Sequence, residues 1–160
     1  MELPKRKNPR LKDFDYSTPG AYFITICAKN MKHYLGAITV GRGLAPAENN
    51  LSVYGKIADE QIKLLEARYQ CIKIDKYVIM PNHIHLIISL YGTMRASSPT
   101  KNIENIIRSF KIMVTKEIGK SIWQRSYHDH IIRGEKDYQK IWEYIDTNVI
   151  RWSMDCYFND

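Results

Sequence analysis

The chain has 160 residues, of which 44% are hydrophobic and 26% charged, and its formal net charge is +7. This length suits one domain spanning 1–160, and no apolar run approaches the length needed to cross a bilayer. The N-terminal sequence lacks the apolar segment of a secretory signal, so we expect a cytoplasmic protein with no membrane partner. The cysteines form no CxxC pair, which argues against a zinc knuckle or a disulfide framework, while the positive charge favours a polyanionic partner.

The N-terminal third is predicted to contain a basic arm and a hairpin. Residues 1–15 form the arm, because lysines and arginines cluster there among prolines. Ala21–Ala28 is a run of β-branched and aromatic residues, which is typical of a strand. A turn then leads to a second strand at Tyr34–Val40, and we expect the two strands to pair before a loop over 41–50.

The middle of the chain predicts a helix and a second pair of strands. Ser52 is a suitable N-cap for a helix at Val53–Arg68, whose apolar residues recur at helical spacing. Cys71–Met80 is predicted to be a strand, and Pro81 and Asn82 form a tight turn into the strand that follows. We expect these two strands to be antiparallel neighbours.

The last third predicts two helices separated by a strand. After a connection rich in Gly, Ser and Pro at Tyr91–Thr100, we expect a helix over Asn102–Ile118, a strand over Trp123–Arg133 and a helix over Glu135–Asn148. The complete order predicts an α+β fold. Its sheet is mainly antiparallel, of the ferredoxin-like split βαβ type, with helices packed on it.

The most informative stretch is the strand that carries His83 and His85. Side chains two residues apart on a strand leave the same face, while the apolar residues between and after these histidines face the other way. Two neighbouring imidazoles on a rigid strand are suited to hold a divalent cation, although each could instead be hydrogen-bonded within the core. His128 and His130 form a second His-x-His pair, so spacing alone does not select the first.

Two histidines underfill a metal site, and the last helix offers further groups. Tyr144 and Asn148 stand at i and i+4 and therefore share a helix face, with Cβ atoms roughly 6 Å apart. A phenol and an amide could thus approach a cation together, although Tyr144 could equally close the core. Tyr138, on the same helix, is the rival of Tyr144, but it lies on a different helical face and lacks an Asn at i+4.

Three segments of the sequence together resemble one known family. The opening YFITICAKN, the strand VIMPNHIHLII and the tail YHDHIIRGEKDYQKIWEYIDTN are similar to the single-tyrosine HUH transposases. Within them, the segments most resemble the REP-associated tyrosine transposases and their insertion-sequence relatives. The similarity runs from about Arg10 to Trp152, and the order, the spacing and the type of element all agree.

The resemblance implies a DNA transposase that contains a metal ion. In that family the histidine pair binds Mg²⁺ or Mn²⁺ and the helix tyrosine is the nucleophile, which by motif position are His83, His85 and Tyr144. Asn148 falls where relatives place a Gln or Asn near the metal. The implied reaction is cleavage and rejoining of single-stranded DNA, in a hairpin-forming substrate, through a 5′-phosphotyrosine. Family members act as homodimers or as monomers, and the sequence leaves both open.

A DNA partner would account for the basic residues. They lie in the N-terminal arm, along the Asn102–Ile118 helix and beside the last strand, where they could follow a phosphate backbone. The candidate DNA contacts are Lys5, Arg6, Arg10, Lys101, Arg108, Lys111, Lys116, Arg125 and Arg133. A non-catalytic nucleic-acid-binding module on the same scaffold would keep these cations without needing the histidines and the tyrosine. A histidine-triad hydrolase is disfavoured, because it wants a third histidine where this chain has Ile87.

Overall fold

The computed structural model describes residues 10–40, 45–92 and 102–159, and its strands form two sheets. The strands are β1 Gly20–Cys27, β2 Gly36–Thr39, β3 Glu48–Leu51, β4 Ile72–Ile79, β5 His83–Leu90 and β6 His128–Ile131. The main sheet is antiparallel with the order β4-β5-β1-β6. Two βαβ units interlock in it, since each leaves a gap between its strands that a strand of the other fills. The predicted α+β fold of the split βαβ type is confirmed.

Four α-helices accompany these strands in the described part of the chain. They are α1 Val53–Lys63, α2 Leu65–Arg68, α3 Ile103–Ile118 and α4 Glu135–Thr147. The predicted N-cap at Ser52 is present, because its side chain accepts a hydrogen bond from the Gly55 amide. Asn102 caps α3 in the same way. The helix predicted at Val53–Arg68 is divided at Leu64 into α1 and α2.

The two faces of the main sheet differ in character. On the apolar face, alternate residues of β1 and β5 join the inner residues of α1 and α3 in one buried cluster, which includes Ile24, Ile26, Ile62, Ile84, Leu86, Ile88, Ile106, Phe110 and Val114. The other face, which we call the site face, carries Phe23, His83 and His85 and is covered by α4. Burying each large apolar side chain contributes roughly 1.5–3 kcal/mol, so the apolar face supplies most of the stability.

The predicted hairpin between Ala21–Ala28 and Tyr34–Val40 is wrong. β1 lies inside the sheet, with β5 on one side and β6 on the other, and so it has no free edge for the next segment. Gly36–Thr39 pairs instead with Glu48–Leu51, of which all but the last residue lies in the stretch predicted as a loop. Neighbours in sequence often pair, but here the central position of β1 is taken by strands from later in the chain.

The last strand is also shorter than predicted. Trp123 makes only an isolated bridge with Ala28, and β6 is confined to His128–Ile131. Lys111 on α3 explains the interruption, because its Nζ donates hydrogen bonds to the carbonyl oxygens of Gln124, Arg125 and Ser126. These carbonyls therefore face the helix and do not pair with a neighbouring strand.

Most other sequence predictions for the fold are confirmed. β4 and β5 are antiparallel neighbours joined through Pro81 and Asn82, and α3 and α4 begin and end within a residue of the predicted bounds. Most of the predicted basic arm lies outside the described residues, as does most of the Tyr91–Thr100 connection. Within the three described ranges, no helix combines the length and the apolarity needed to cross a membrane.

Candidate active site

His83 and His85 lie next to each other on the site face of β5. They are 0% and 1% exposed, and their ring centroids are 4.4 Å apart. β5 is an interior strand, paired with β4 on one side and β1 on the other. The sheet thus holds the backbone of both histidines in place, and their side chains form a buried pair.

Hydrogen bonds at Nδ1 orient both imidazoles. His83 Nδ1 lies 2.7 Å from Asn82 Oδ1, which is an acceptor, so this nitrogen carries the proton and donates it. His85 Nδ1 lies 2.8 Å from the Thr25 hydroxyl oxygen on β1. Because Nδ1 of His83 carries the proton, Nε2 of that ring keeps its lone pair. His83 Nε2 is buried and has no hydrogen-bond partner among the residues that the structure describes.

Burial lowers the pKa of both histidines. The pKa of His83 falls to about 4 because the ring is desolvated, and the nearby Asp155 carboxylate opposes this shift. The pKa of His85 falls well below its ordinary value, through burial first and through the neighbouring His83 second. Both rings are therefore neutral at pH 7, which is the state of histidine that ligates a cation.

Asp155 joins the histidines to form a group of three potential metal ligands. One ligand atom from each of the three residues lies within 4.8 Å of the other two. Asp155 follows the short 3-10 helix Trp152–Met154, which comes after α4. Imidazole nitrogens with a carboxylate oxygen make a donor set that a divalent cation such as Mn²⁺ accepts. Sequence reasoning missed Asp155, because it lies in an irregular segment with no periodic pattern to mark it.

Asn148, the predicted third ligand, reaches the histidines through Asp155. It directly follows α4, is 2% exposed, and its Nδ2 donates a hydrogen bond to Asp155 Oδ2 at 2.7 Å. Its Oδ1 is buried and has no hydrogen-bond partner within the described ranges. Buried acceptors are normally paired, so two unpaired ones in this site, His83 Nε2 and Asn148 Oδ1, fit a place for a cation.

Tyr144 directs its hydroxyl group at the same cluster. Its Oη lies 3.3 Å from His85 Nε2 and donates to Asp155 Oδ2 at 3.4 Å. Burial raises the pKa of this phenol above its ordinary value, and the charge of Asp155 adds to the increase. The residue is still 38% exposed, so a large substrate can approach the hydroxyl from solvent.

Tyr138, the rival nucleophile, lies elsewhere. Its ring contacts Trp142, with centroids 6.0 Å apart. Burial and a hydrogen bond with Asp75 on β4 raise its pKa to about 12. The turn of α4 therefore brings Tyr144 to the histidines and Tyr138 to Asp75 on β4.

Aromatic rings enclose the histidine pair. Phe23 stacks on His85 with centroids 5.2 Å apart, and Tyr157 lies 4.6 Å from His83. Trp152 lies on another side of His83 at 6.0 Å. This wall limits water around the imidazoles and leaves the approach to the site beside Tyr144.

The second His-x-His pair has no such surroundings. His130 Nε2 lies 2.8 Å from an Asp137 carboxylate oxygen at the start of α4, and its side chain is 53% exposed. His128 is exposed on the edge strand. Neither belongs to the group of potential ligands formed by His83, His85 and Asp155.

A basic groove of about 1650 Å³ lies between α3 and the segment 121–128. Five of the predicted DNA contacts line it, together with Lys29, which the sequence analysis did not select; these five are Arg10, Arg108, Lys111, Lys116 and Arg125. Ile112, which is 57% exposed, adds an apolar surface to the same groove. We call this surface the α3 groove.

Two of the predicted DNA contacts make internal bonds that hold the α3 groove together. Lys111 binds the three carbonyls of the 124–126 segment, and burial lowers its pKa to about 8. Arg10 pairs with Glu104 and Asp129, and its guanidinium lies 3.6 Å from the centroid of the Tyr127 ring. These contacts give both residues a structural role in the walls of the groove.

Of the other predicted DNA contacts, Arg133 does not line the groove. Arg133 is exposed between β6 and α4, and its backbone amide donates to Asp137. Lys5, Arg6 and Lys101 lie outside the described residues. The structure therefore groups the helix cations with Arg125 and separates them from Arg133.

The fold matches that of a known DNA-binding protein. A solved structure of a REP-associated tyrosine transposase bound to a REP hairpin superposes with a TM-score of 0.66, covering 91% of this chain and 76% of that one. The sequence identity is 22%, so this match describes the shared fold. It places the chain in a fold class that includes a hairpin-binding transposase.

Sequence comparison defines the family. Residues 54–148 match the family described as "Transposase IS200 like". The chain belongs to this family of IS200-like transposases. An uncharacterized protein of Haemophilus influenzae is a full-length relative, with 35% identity over 97% of this chain and 94% of its own length.

Proposed function

We propose that this protein cleaves and rejoins single-stranded DNA, with Tyr144 as the nucleophile and a divalent cation held by the histidine pair. The observation that carries the proposal is the 3.3 Å approach of Tyr144 Oη to His85 Nε2, within a cluster that also contains His83 and Asp155. A nucleophile beside a set of metal ligands suits phosphoryl transfer. Membership of the IS200-like family supports DNA as the substrate.

The chain offers a fitting ligand set for Mg²⁺ or Mn²⁺. His83 Nε2, His85 Nε2 and an Asp155 carboxylate oxygen would hold the ion, and Asn148 would contribute through Asp155 or with its own buried Oδ1. When bound, the cation supplies positive charge that polarises the scissile phosphate and favours the phenolate. That charge matters here because burial and Asp155 raise the pKa of Tyr144.

The reaction exchanges one phosphate ester for another. The Tyr144 oxygen forms a bond to the phosphorus atom, and the bond between phosphorus and the 3′-oxygen of the preceding nucleotide breaks. Asp155 Oδ2, which already accepts the hydrogen bond of the phenol, takes the phenol proton, and water supplies the proton that the leaving 3′-oxygen gains. The products are a 5′-phosphotyrosine and a free 3′-hydroxyl. Attack by another 3′-hydroxyl reverses the step and joins the strands without ATP.

The α3 groove offers a place for the rest of the DNA. Arg108 and Lys116 on α3 and Arg125 opposite are exposed cations that can contact phosphates. A related protein of the same fold was solved with a REP hairpin. The proposed substrate is a hairpin-forming strand. Its duplex stem would lie along this groove, and its single-stranded part would lie at Tyr144.

An SDS-resistant adduct assay tests the proposal. Labelled single-stranded DNA with a hairpin from the genomic neighbourhood of the gene is incubated with protein and Mn²⁺, Mg²⁺ or EDTA. We expect a covalent protein–DNA band with metal, none with EDTA, and none for Tyr144→Phe. Tyr138→Phe, a tyrosine of the same helix, is the matched control and should form the adduct.

Two other results would contradict the proposal. An adduct that persists in Tyr144→Phe and disappears in Tyr138→Phe would move the nucleophile to the other tyrosine. DNA binding without any adduct, on either strand and with either metal, would favour a non-catalytic nucleic-acid-binding module.

A further inference from the structure

A turn with unusual backbone geometry lies between the α3 groove and the histidine site. Lys29–Met31 forms a single 3-10 turn after β1, in which Asn30 and Met31 have φ angles of 56° and 53°. Asn tolerates left-handed backbone, whereas a residue such as Met adopts it at a cost of roughly 1–2 kcal/mol. Two such residues in succession persist only where surrounding contacts hold them, and such positions concentrate at functional sites.

One side of this turn belongs to the α3 groove. Lys29 and Asn30 line the groove. The Lys29 amide donates to Ile122 O at 2.7 Å, and Gln124 Nε2 donates to Met31 Sδ at 3.4 Å. A ligand in the groove would thus touch the turn directly and would also touch the segment that holds it.

The other side of the turn reaches His83 through Asn82. Asn82 is 0% exposed, and its Nδ2 donates to Met31 O at 3.3 Å. Its Oδ1 accepts the hydrogen bond from His83 Nδ1 at 2.7 Å. One planar amide therefore contacts both the groove turn and the ring of the candidate metal ligand.

The amide of Asn82 has more acceptors than it has protons. Its Nδ2 carries two hydrogens but lies near Met31 O at 3.3 Å, Tyr157 O at 2.8 Å and Asn159 Oδ1 at 2.8 Å. The Met31 contact is the longest and therefore the weakest of the three, so its strength increases most when the turn moves towards Asn82. Small shifts of Met31 would change which of these hydrogen bonds form and would tilt the plane of the Asn82 amide. The His83 ring would tilt with it, because its Nδ1 donates to Asn82 Oδ1.

We propose that Asn82 is a positioning residue that couples DNA in the α3 groove to the metal affinity of His83. DNA bound by Lys29 fixes the turn, and the hydrogen bond from Asn82 Nδ2 to Met31 O becomes shorter. Asn82 Oδ1 then holds the His83 ring so that its Nε2 points into the site. The coupling rests on the proposed function, since it assumes a divalent cation at the histidines and DNA in the groove. Partners that orient a ligating histidine typically change metal affinity 10–100-fold when they are removed.

Mn²⁺ binding, measured by electron paramagnetic resonance of the free ion, tests this coupling without catalysis. The parent is the full chain with Tyr144→Phe, so that no cleavage occurs, titrated with and without a saturating DNA hairpin. We expect the hairpin to tighten Mn²⁺ binding by about 5–10-fold, the lower end of the usual range of coupling between two sites. Asn82→Ala should bind Mn²⁺ about 10–100-fold more weakly and should show no gain with the hairpin.

Two further variants separate positioning from coupling. Asn82→Asp keeps an acceptor for His83 Nδ1 but loses the donors to Met31, so it should bind Mn²⁺ more tightly than Asn82→Ala and still show no gain with DNA. Lys29→Gln leaves Asn82 in place and should lose most of the gain at saturating DNA. This variant decides the matter if the Asn82 variants fail to fold, which thermal unfolding will reveal.

Asn49→Ala is the matched control. Asn49 is another amide whose Nδ2 donates to a backbone carbonyl, that of Ile79 at 2.7 Å, and in the described part of the chain it makes no hydrogen bond to His83. It should keep the Mn²⁺ affinity of the parent and the full gain with the hairpin.

Several results would overturn the inference. One is equal Mn²⁺ affinity in Asn82→Ala and Asn49→Ala. Another is an increase in Mn²⁺ affinity with the hairpin that is retained in Asn82→Asp or in Lys29→Gln. The others are no such increase in the parent, or no Mn²⁺ binding at all. Failure of the proposed function is distinguishable from these. If Mn²⁺ binding depends on Asn82 and on DNA but the unsubstituted protein gives no adduct, the coupling holds and the proposed cleavage reaction is wrong.

Discussion

The two faces of β5 show how one strand serves stability on one side and chemistry on the other. Ile84, Leu86 and Ile88 face α1 and α3 and are at most 1% exposed. His83 and His85 alternate with them on the site face and are equally buried. The amount of burial is therefore the same, and the difference lies in what the buried groups contact.

On the site face, burial leaves polar atoms unpaired. Of the five buried side-chain nitrogen and oxygen atoms without a hydrogen-bond partner in the described ranges, two are His83 Nε2 and Asn148 Oδ1. Such an atom costs roughly 1–3 kcal/mol. The site face carries this cost, while the apolar face stabilises the fold. A function is therefore expected on the site face.

Replacing one histidine of the site face should have the largest effect on activity. His85→Ala removes a candidate metal ligand and the group nearest to the Tyr144 hydroxyl. We expect adduct formation to fall to background and Mn²⁺ binding to be lost, as measured by the adduct assay and by metal titration. His130→Ala is the matched control, because His130 belongs to the other His-x-His pair, and it should keep both properties. Equal losses in the two variants would remove the distinction between the pairs.

On the apolar face, a substitution should lower stability without affecting the metal site. Leu86→Ala, next to His85 in sequence, leaves a cavity in the cluster under α1 and α3. We expect the free energy of unfolding to fall by about 2–5 kcal/mol, measured by urea denaturation. Mn²⁺ affinity of the folded protein should stay within a factor of about 3 of the parent, which corresponds to less than about 1 kcal/mol. A parallel loss of affinity would mean that the faces are not separable.

Substitutions in the α3 groove should have smaller effects. They should distinguish the cations that contact DNA from those that stabilise the groove. Arg108→Gln removes an exposed cation and should lower the slope of DNA affinity against salt by about one, measured by fluorescence anisotropy, with little change in stability. Lys111→Gln should lower the free energy of unfolding by about 1–3 kcal/mol, because three carbonyls lose their donor. Identical behaviour of the two variants would contradict the structural role given to Lys111.

The fold was largely predictable because its signals are local. The caps at Ser52 and Asn102 and the alternation along β5 each act over a few residues, and each produced the predicted element. The pairing of β1 was not predictable, since it depends on strands from later in the chain that take both of its edges. Lys111 likewise ends the pairing near Trp123 through contacts that the sequence order does not reveal.

The candidate site divides in the same way. The periods of a strand and a helix predicted which side chains share a face, the family resemblance selected His83, His85 and Tyr144 among them, and the structure places these three together. Asp155 and Asn82 could not be selected from the sequence, because each lies in an irregular segment where no period fixes the direction of a side chain. Only the folded chain brings Asp155 to the histidines and Asn82 between the groove and His83.

Locating the DNA attachment point by mass spectrometry would test the central claim most directly. Trypsin cleaves after Lys140 and Arg151, so the peptide 141–151 contains Tyr144 as its single tyrosine, and Tyr138 falls in a separate peptide. After nuclease trimming of the Mn²⁺-dependent adduct, we expect the mass of a nucleotide on Tyr144 in the 141–151 peptide. A nucleotide on Tyr138 or on any other residue would contradict the account.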